Sequence, residues 1–359
     1  MGSIKVRGRH RLANFLNDTF ALVPHIWKRV LPVSLAALLP GAALWVAAIA
    51  SLASFAGKLV GAGEDFGHDP ALVLSGIVPF LWLCALAIVF LFLGASFQKA
   101  YTCAEAGAAI EGRKPRFFRS LRDIARRPFV RVAVQDAAIG ALTSTVAFSV
   151  ALAVFLPFLF GMIGKLADIG KGGGPGIGAI VLLVLVYFAA ILIAAAIAWW
   201  IRVKTAVSAP ATVLEDMNSL SGMGRSLDLV RGHGWRSFGV MFIVALVISF
   251  GLGILTGPVT FVVILPGYFS LLKGGLAGSK PSPQSIAAFL SSLSWAMGIT
   301  MLISEVVKGG LWSAFLTLLH ADLKARSGER PERGLRKPPR ASMRALRGSR
   351  RRRVVEQGS

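Results

Sequence analysis

Acidic residues are scarce in this chain. Seventeen Asp and Glu stand against 39 Lys and Arg, a formal net charge of +22. Cysteine is scarcer: Cys84 sits in an apolar run and Cys103 in a polar, basic stretch, so neither a disulfide between them nor a zinc-type spacing is expected. The histidines His10, His25, His68, His233 and His320 are scattered, with no HExxH and no paired arrangement, which leaves a metal without a ligand set. No Ser-His-Asp ordering, carboxylate dyad or cofactor fingerprint is present. The sequence therefore points away from an enzyme and calls for no cofactor. The glycine-rich KGGGPGIG at 171–178 lacks the Gly-Lys-Ser/Thr ending of a phosphate loop and reads as a turn. About 29 polar or mixed residues precede the first long apolar run, more than a cleavable signal carries.

What the chain has in abundance is apolar length. It is 55% hydrophobic, with a mean hydropathy of +0.68, above the roughly 45–50% apolar content of soluble domains. Six apolar stretches, near 30–56, 71–97, 132–163, 177–201, 238–265 and 286–319, are each long enough to cross a bilayer as helix. The expected fold is an all-α polytopic bundle of six spans. Positive charge alternates along the loops: rich before 30, poor at 57–70, rich at 98–131, poor at 164–176, rich at 202–237, poor at 266–285 and rich after 320. The positive-inside rule then places both termini in the cytoplasm. Three parts follow: a cytoplasmic N-terminal segment (1–29), a six-span membrane domain (30–321) and a disordered basic tail (322–359).

Three junctions share one grammar. In MGRSLDLVRGHGWRSFGVMF (223–242), Leu220, Met223, Leu227 and Val230 repeat at helical spacing, Gly232 and Gly234 break the helix, and Trp235 and Arg236 suit the headgroup layer before an apolar run. At 117–134 the face is Phe117, Leu121 and Ile124, the break Pro128 and the anchor Phe129. At 15–33 the face is Phe15, Thr19 and Leu22, the break Pro24 and the anchor Trp27. The expectation is three interfacial amphipathic helices, each leading through an elbow into a span and a return span, as a possible three-fold internal repeat. The alternative is that junctions between cytoplasm and membrane look alike.

The third junction also carries a resemblance. Ala209-Pro210-Ala211, Val213-Leu214-Glu215, Arg225-Ser226, Leu229-Val230-Arg231-Gly232 and Trp235-Arg236 resemble a segment common to bacterial six-span proteins related to the glycerophosphoryl diester phosphodiesterase membrane domain. The run from Leu318 through His320, Asp322 and Lys324 to Arg326 resembles that family's closing Leu-Leu-Tyr-x-Asp-Leu-Arg-x-Arg, with His for Tyr and Lys for Arg. The likeness is specific at 202–240 and 316–326. It implies the membrane fold in a bacterial cytoplasmic membrane. The phosphodiesterase would be a separate soluble barrel that no stretch here supplies, so its activity does not carry over.

Candidate functional residues are few. Glu305 and Lys308 stand three apart in an apolar run ahead of Gly309-Gly310. Ionisable groups at membrane depth mark a functional site by default, whereas a structural ion pair or a wet break between two helices is the plainer meaning. Asp136 just inside the third span reads as an interfacial cap or an arginine partner, with a proton relay as the sharper alternative. Arg116, Arg119, Arg122, Arg126, Arg225, Arg231, Arg236, Trp27 and Trp235 are candidate headgroup contacts. The tail holds 13 Lys or Arg against four acids and fits anionic lipid or an acidic protein partner better than nucleic acid. The reading that emerges is a non-enzymatic membrane module that organises anionic lipid or docks partners. The alternative is a transporter of a small or lipid-like substrate that uses Glu305 and Lys308.

Overall fold

The computed structural model describes residues 12–62, 70–113, 117–169, 177–276 and 282–329. Among them are nine helices and no strand: α1 (Leu12–Ala62), α2 (Pro70–Ile110), α3 (Phe117–Arg126), α4 (Pro128–Ile169), α5 (Ile177–Lys204), α6 (Ser208–Leu214), α7 (Ser219–Val230), α8 (Gly234–Leu276) and α9 (Pro283–Arg326). Six of the nine are long and apolar enough to cross a membrane, and each contains one of the six apolar stretches. The protein is an all-α, six-span membrane bundle.

Local chemistry explains where the helices start and stop. Ser282 caps α9 by accepting from the Ser285 amide at 3.1 Å, and Pro283 follows at a position whose amide needs no partner. Between α7 and α8, Gly232 takes φ +82°, a left-handed turn that side-chain-bearing residues resist. Asp216, at φ 52°, makes the other tight turn, between α6 and α7. Arg131 of α4 holds that turn by donating to the Asp216 carboxylate at 2.7 Å and to the Asp216 and Met217 carbonyls at 3.2 Å.

The spanning helices are longer than a bilayer requires. α1 has 51 residues and α9 has 44, hence about 77 and 66 Å at 1.5 Å per residue, against a hydrocarbon core of roughly 30 Å. The basic loops lie at one end of the bundle, and the tightest packing is found there. Phe15, Leu22, Tyr101, Val132, Val207, Val230, Phe315 and Leu319 are buried in one continuous core. Toward the opposite end, large apolar side chains face outward, among them Trp82, Phe148, Tyr187, Phe250 and Phe261, as a lipid-facing surface requires. α1 packs most closely on α2 and α9. A β-carbon at Gly94 of α2 would fall 2.4 Å from the Ala37 carbonyl oxygen, so α1 and α2 approach backbone to backbone there.

The structure departs from the expected junctions in two places. The break at Pro24 does not occur: α1 continues through Pro24, Pro32 and Pro40. The buried positions Phe15, Thr19, Leu22, Ile26, Val30 and Val33 form one stripe across Pro24. Packing along that stripe outweighs the hydrogen bond a proline removes. Separate short amphipathic helices therefore precede a span twice, as α3 and α7, and the N-terminal one is the start of α1. In α7, the expected face holds only in part. Val230 points inward as expected, with Gly222, Ser226 and Leu229, while Leu220 is 78% and Leu227 47% exposed.

Candidate functional site

α5 ends at Lys204, and the chain turns inward as α6. Val203 and residues 205–212 are all buried, wedged against α2, α4 and α7. Gln135 of α4 ties the wedge together. Its carbonyl accepts from the Thr212 hydroxyl, and its amide donates to the Ser219 carbonyl, each at 3.3 Å. Ser226 of α7 donates to the Lys204 carbonyl at 2.9 Å.

This wedge delivers Glu215, the residue after α6, into a group of cations. Arg225 Nε of α7 donates to Glu215 Oε2 at 3.1 Å. Lys324 Nζ and His320 Nε2 of α9 lie 3.0 and 3.2 Å from Oε1. The Glu215 side chain is 13% exposed. Its carboxyl is held down to about 2, from an ordinary 4.5, chiefly by the close approach of His320, with Lys324 reinforcing it against the upward pull of burial. Arg225 also binds Glu329, three residues past the end of α9. That contact raises the arginine's pKa and lowers the glutamate's.

A second carboxylate sits beside the first. Asp322 is fully buried at its side chain. It accepts from Arg236 Nη1 of α8 at 2.7 Å and from Arg326 Nε one helical turn on at 2.9 Å. Two carboxylates thus fasten α7, α8 and α9 into a charge clasp. A third ion pair lies on the same end, Arg29 to the buried Glu105 at 3.3 Å. Among the described residues, no group of three or more His, Cys, Asp or Glu is placed to hold a metal.

The candidate residues read from the sequence fall unevenly around the clasp. Arg225 and Arg236 belong to it and are not free headgroup contacts. Arg122 and Arg231 are exposed, and Trp235 is 78% exposed. Arg116 lies outside the described residues. Arg119 and Arg126 lie in α3, with side chains outside what is described. Trp27 is half-buried, with its ring against Gly310: a β-carbon there would come within 2.9 Å of it. The neighbouring Gly309 makes room for Gln98, so the Gly309-Gly310 pair admits side chains and leaves α9 unbroken. Asp136 has a lysine partner where an arginine was expected. Lys99 Nζ donates to it at 2.5 Å, with Ser96 at 3.4 Å.

Glu305 is half-buried and Lys308 exposed in α9, and they form no ion pair with each other. Gln98 of α2 donates to the Val306 carbonyl at 2.8 Å, one residue from Glu305. The tail was expected to begin at 322, yet residues through Arg326 are helical and Glu329 is held by Arg225. Residues 330–359 lie outside the described residues. The clasp residues missed as a site, Glu215, His320, Asp322 and Lys324, are among those that carried the family resemblance. No known family, curated protein or solved structure matches the chain.

Proposed function

We propose that this protein is a non-enzymatic module of a bacterial cytoplasmic membrane, with both termini in the cytoplasm and a basic inner-leaflet surface that gathers anionic lipid or docks partners. One observation carries the reading. At the basic end the buried carboxylates Glu105, Glu215 and Asp322 are all engaged by cations. The outward cations Arg122, Arg202 and Arg231 are exposed and have no carboxylate partner among the described residues. Exposed acids such as Asp123, Asp216 and Asp228 share that end, but Lys and Arg outnumber Asp and Glu in each of its loops, and a net positive surface attracts anions at about 1 kcal/mol per charge near a membrane. The outward Leu220 and Leu227 of α7 and the exposed Trp235 beside it supply the apolar half of an interfacial helix. The coincidence of the clasp with the motif residues supports kinship with the six-span bacterial group, and the twofold occurrence of short helix, elbow and span supports an internal repeat.

The test uses the full chain in vesicles with brominated phosphatidylglycerol or brominated phosphatidylcholine at equal mole fraction. Tryptophan quenching is stronger with the anionic lipid, and the excess shrinks as salt screens it. Equal quenching by the two lipids would refute the reading.

A second reading, transport of a small or lipid-like substrate, has its own observation. Ser34, Gln98 and Thr102 of α1 and α2 keep buried oxygens without a partner among the described residues, and Gln98 donates to the carbonyl of Val306, the residue after Glu305. Under it, Glu305→Gln abolishes substrate flux in vesicles and leaves the lipid preference intact.

A further inference from the structure

Between α5 and α8 runs an apolar groove of about 300 Å³, walled by Ala196, Trp199, Phe242, Ala245, Leu246 and Ser249. That volume is at the lower end of ligand pockets, roughly 300–1,000 Å³, and suits a chain of methylenes better than a headgroup. Its upper wall is Phe238, and from there aromatic rings lead to the basic end without a gap. Phe238 stacks on Phe242 at 6.2 Å between centroids, and Trp200 lies 6.2 Å from Phe238 and 5.2 Å from Trp235. The run finishes in a cation. Lys204 Nζ sits 5.2 Å from the centroid of the Trp200 ring, and no carboxylate among the described residues pairs with it. Arg202, exposed, is two residues away. The distance along α5 from Trp199 to Lys204 is about 7.5 Å at 1.5 Å per residue.

We propose that this is a bound-lipid site. One acyl chain of an anionic phospholipid lies in the α5–α8 groove, and its phosphate is held at Lys204, against the Trp200 and Trp235 rings. The arrangement follows the chemistry of such a lipid in order: methylenes against Ala245 and Phe242, the glycerol region at the tryptophans, the phosphate at the unpaired ammonium. Tryptophan favours the layer where an apolar body meets a polar one, and a lysine stem extends along it to the charge. A cation held over an indole keeps its positive charge while remaining near the apolar surface. Charge complementarity selects this occupant over a second copy of the chain, whose +22 disfavours self-approach at this end. The site rests on the proposed anionic-lipid function and names one place where that lipid binds.

The test is native mass spectrometry of the full chain in mild detergent, with phosphatidylglycerol or phosphatidylcholine of matched acyl chains added. The chain carries a phosphatidylglycerol adduct in excess over phosphatidylcholine. Lys204→Gln lowers its occupancy about fivefold, the factor expected from one charge near a membrane. Lys204→Arg keeps it, and Ala245→Phe, which fills the groove, removes it. Elution profiles and melting temperatures unchanged from wild type certify the variants. Unaltered adducts in both Lys204→Gln and Ala245→Phe overturn the site. So does a lipid-independent dimer that Ala245→Phe dissolves. If the adduct is insensitive to these changes but the vesicle preference for anionic lipid persists, the groove assignment fails alone. If the vesicle preference is also absent, both fail.

Discussion

Glu215→Gln lowers the stability of the bundle by about 3 kcal/mol. The figure follows from the depression of the Glu215 carboxyl to about 2 from an ordinary 4.5, at about 1.4 kcal/mol per pKa unit. The group is 13% exposed and meets Arg225 and Lys324, so solvent screens it little, and removal of its charge leaves those two cations facing one another. The sign with pH is fixed. Because the folded-state value is depressed, the contribution is complete above about pH 4.5 and is lost as pH falls toward about 2. Thermal melts of wild type and variant in detergent therefore differ most near neutrality and converge between those limits. A constant difference across that window would show that the carboxylate is not the source.

The second large effect is at Asp322. Asp322→Asn keeps the shape and removes the charge that Arg236 and Arg326 share at 2.7 and 2.9 Å. The aspartate side chain is wholly buried, so its loss leaves two guanidinium groups with only a neutral amide. Breaking a buried pair from one side destabilises by about 3–5 kcal/mol, and the partial exposure of both arginines places this variant at about 3. The loss falls on the attachment of α8 to α9. Hydrogen exchange checks it: amides at the start of α8, from Gly234, and at the end of α9 lose protection, while those of α1 and α2 keep theirs. Uniform deprotection of all helices would mean that Asp322 supports the bundle as a whole and not this joint.

Much of the architecture was legible because the dominant force is written locally. Apolar length and the alternation of basic loops need only a window of some 20 residues, and the six long helices follow from them. The short helices α3 and α7 were legible for the same reason, through Pro128 and Gly232. The clasp was not. Lys324 and Glu215 are 109 residues apart, and nothing in either segment says that one acid meets three bases. Part of the inner face of α7 was illegible because Gly222 and Ser226, buried beside Leu229 and Val230, carry no hydrophobic signal, while Leu220 and Leu227 face out. Pro24 misled for a different reason: a proline's missing hydrogen bond is a local loss, while the stripe from Phe15 to Val33 gains along its whole length. Of the charged pair in α9, sequence supplied the spacing but not the outcome. Lys308 faces outward, and Glu305 does not turn to it.

The most direct test of the whole account is the sidedness of the basic end. In a chain with Cys84 and Cys103 both replaced by Ala, a single cysteine is placed at Arg231, in the exposed elbow between α7 and α8, or at Ser282, the exposed cap of α9 at the opposite end. Intact cells expressing the full chain are treated with a maleimide that cannot cross the bilayer. The account predicts labelling of the Ser282→Cys chain, and labelling of the Arg231→Cys chain only after the membrane is opened. Labelling of Arg231→Cys in intact cells would contradict it.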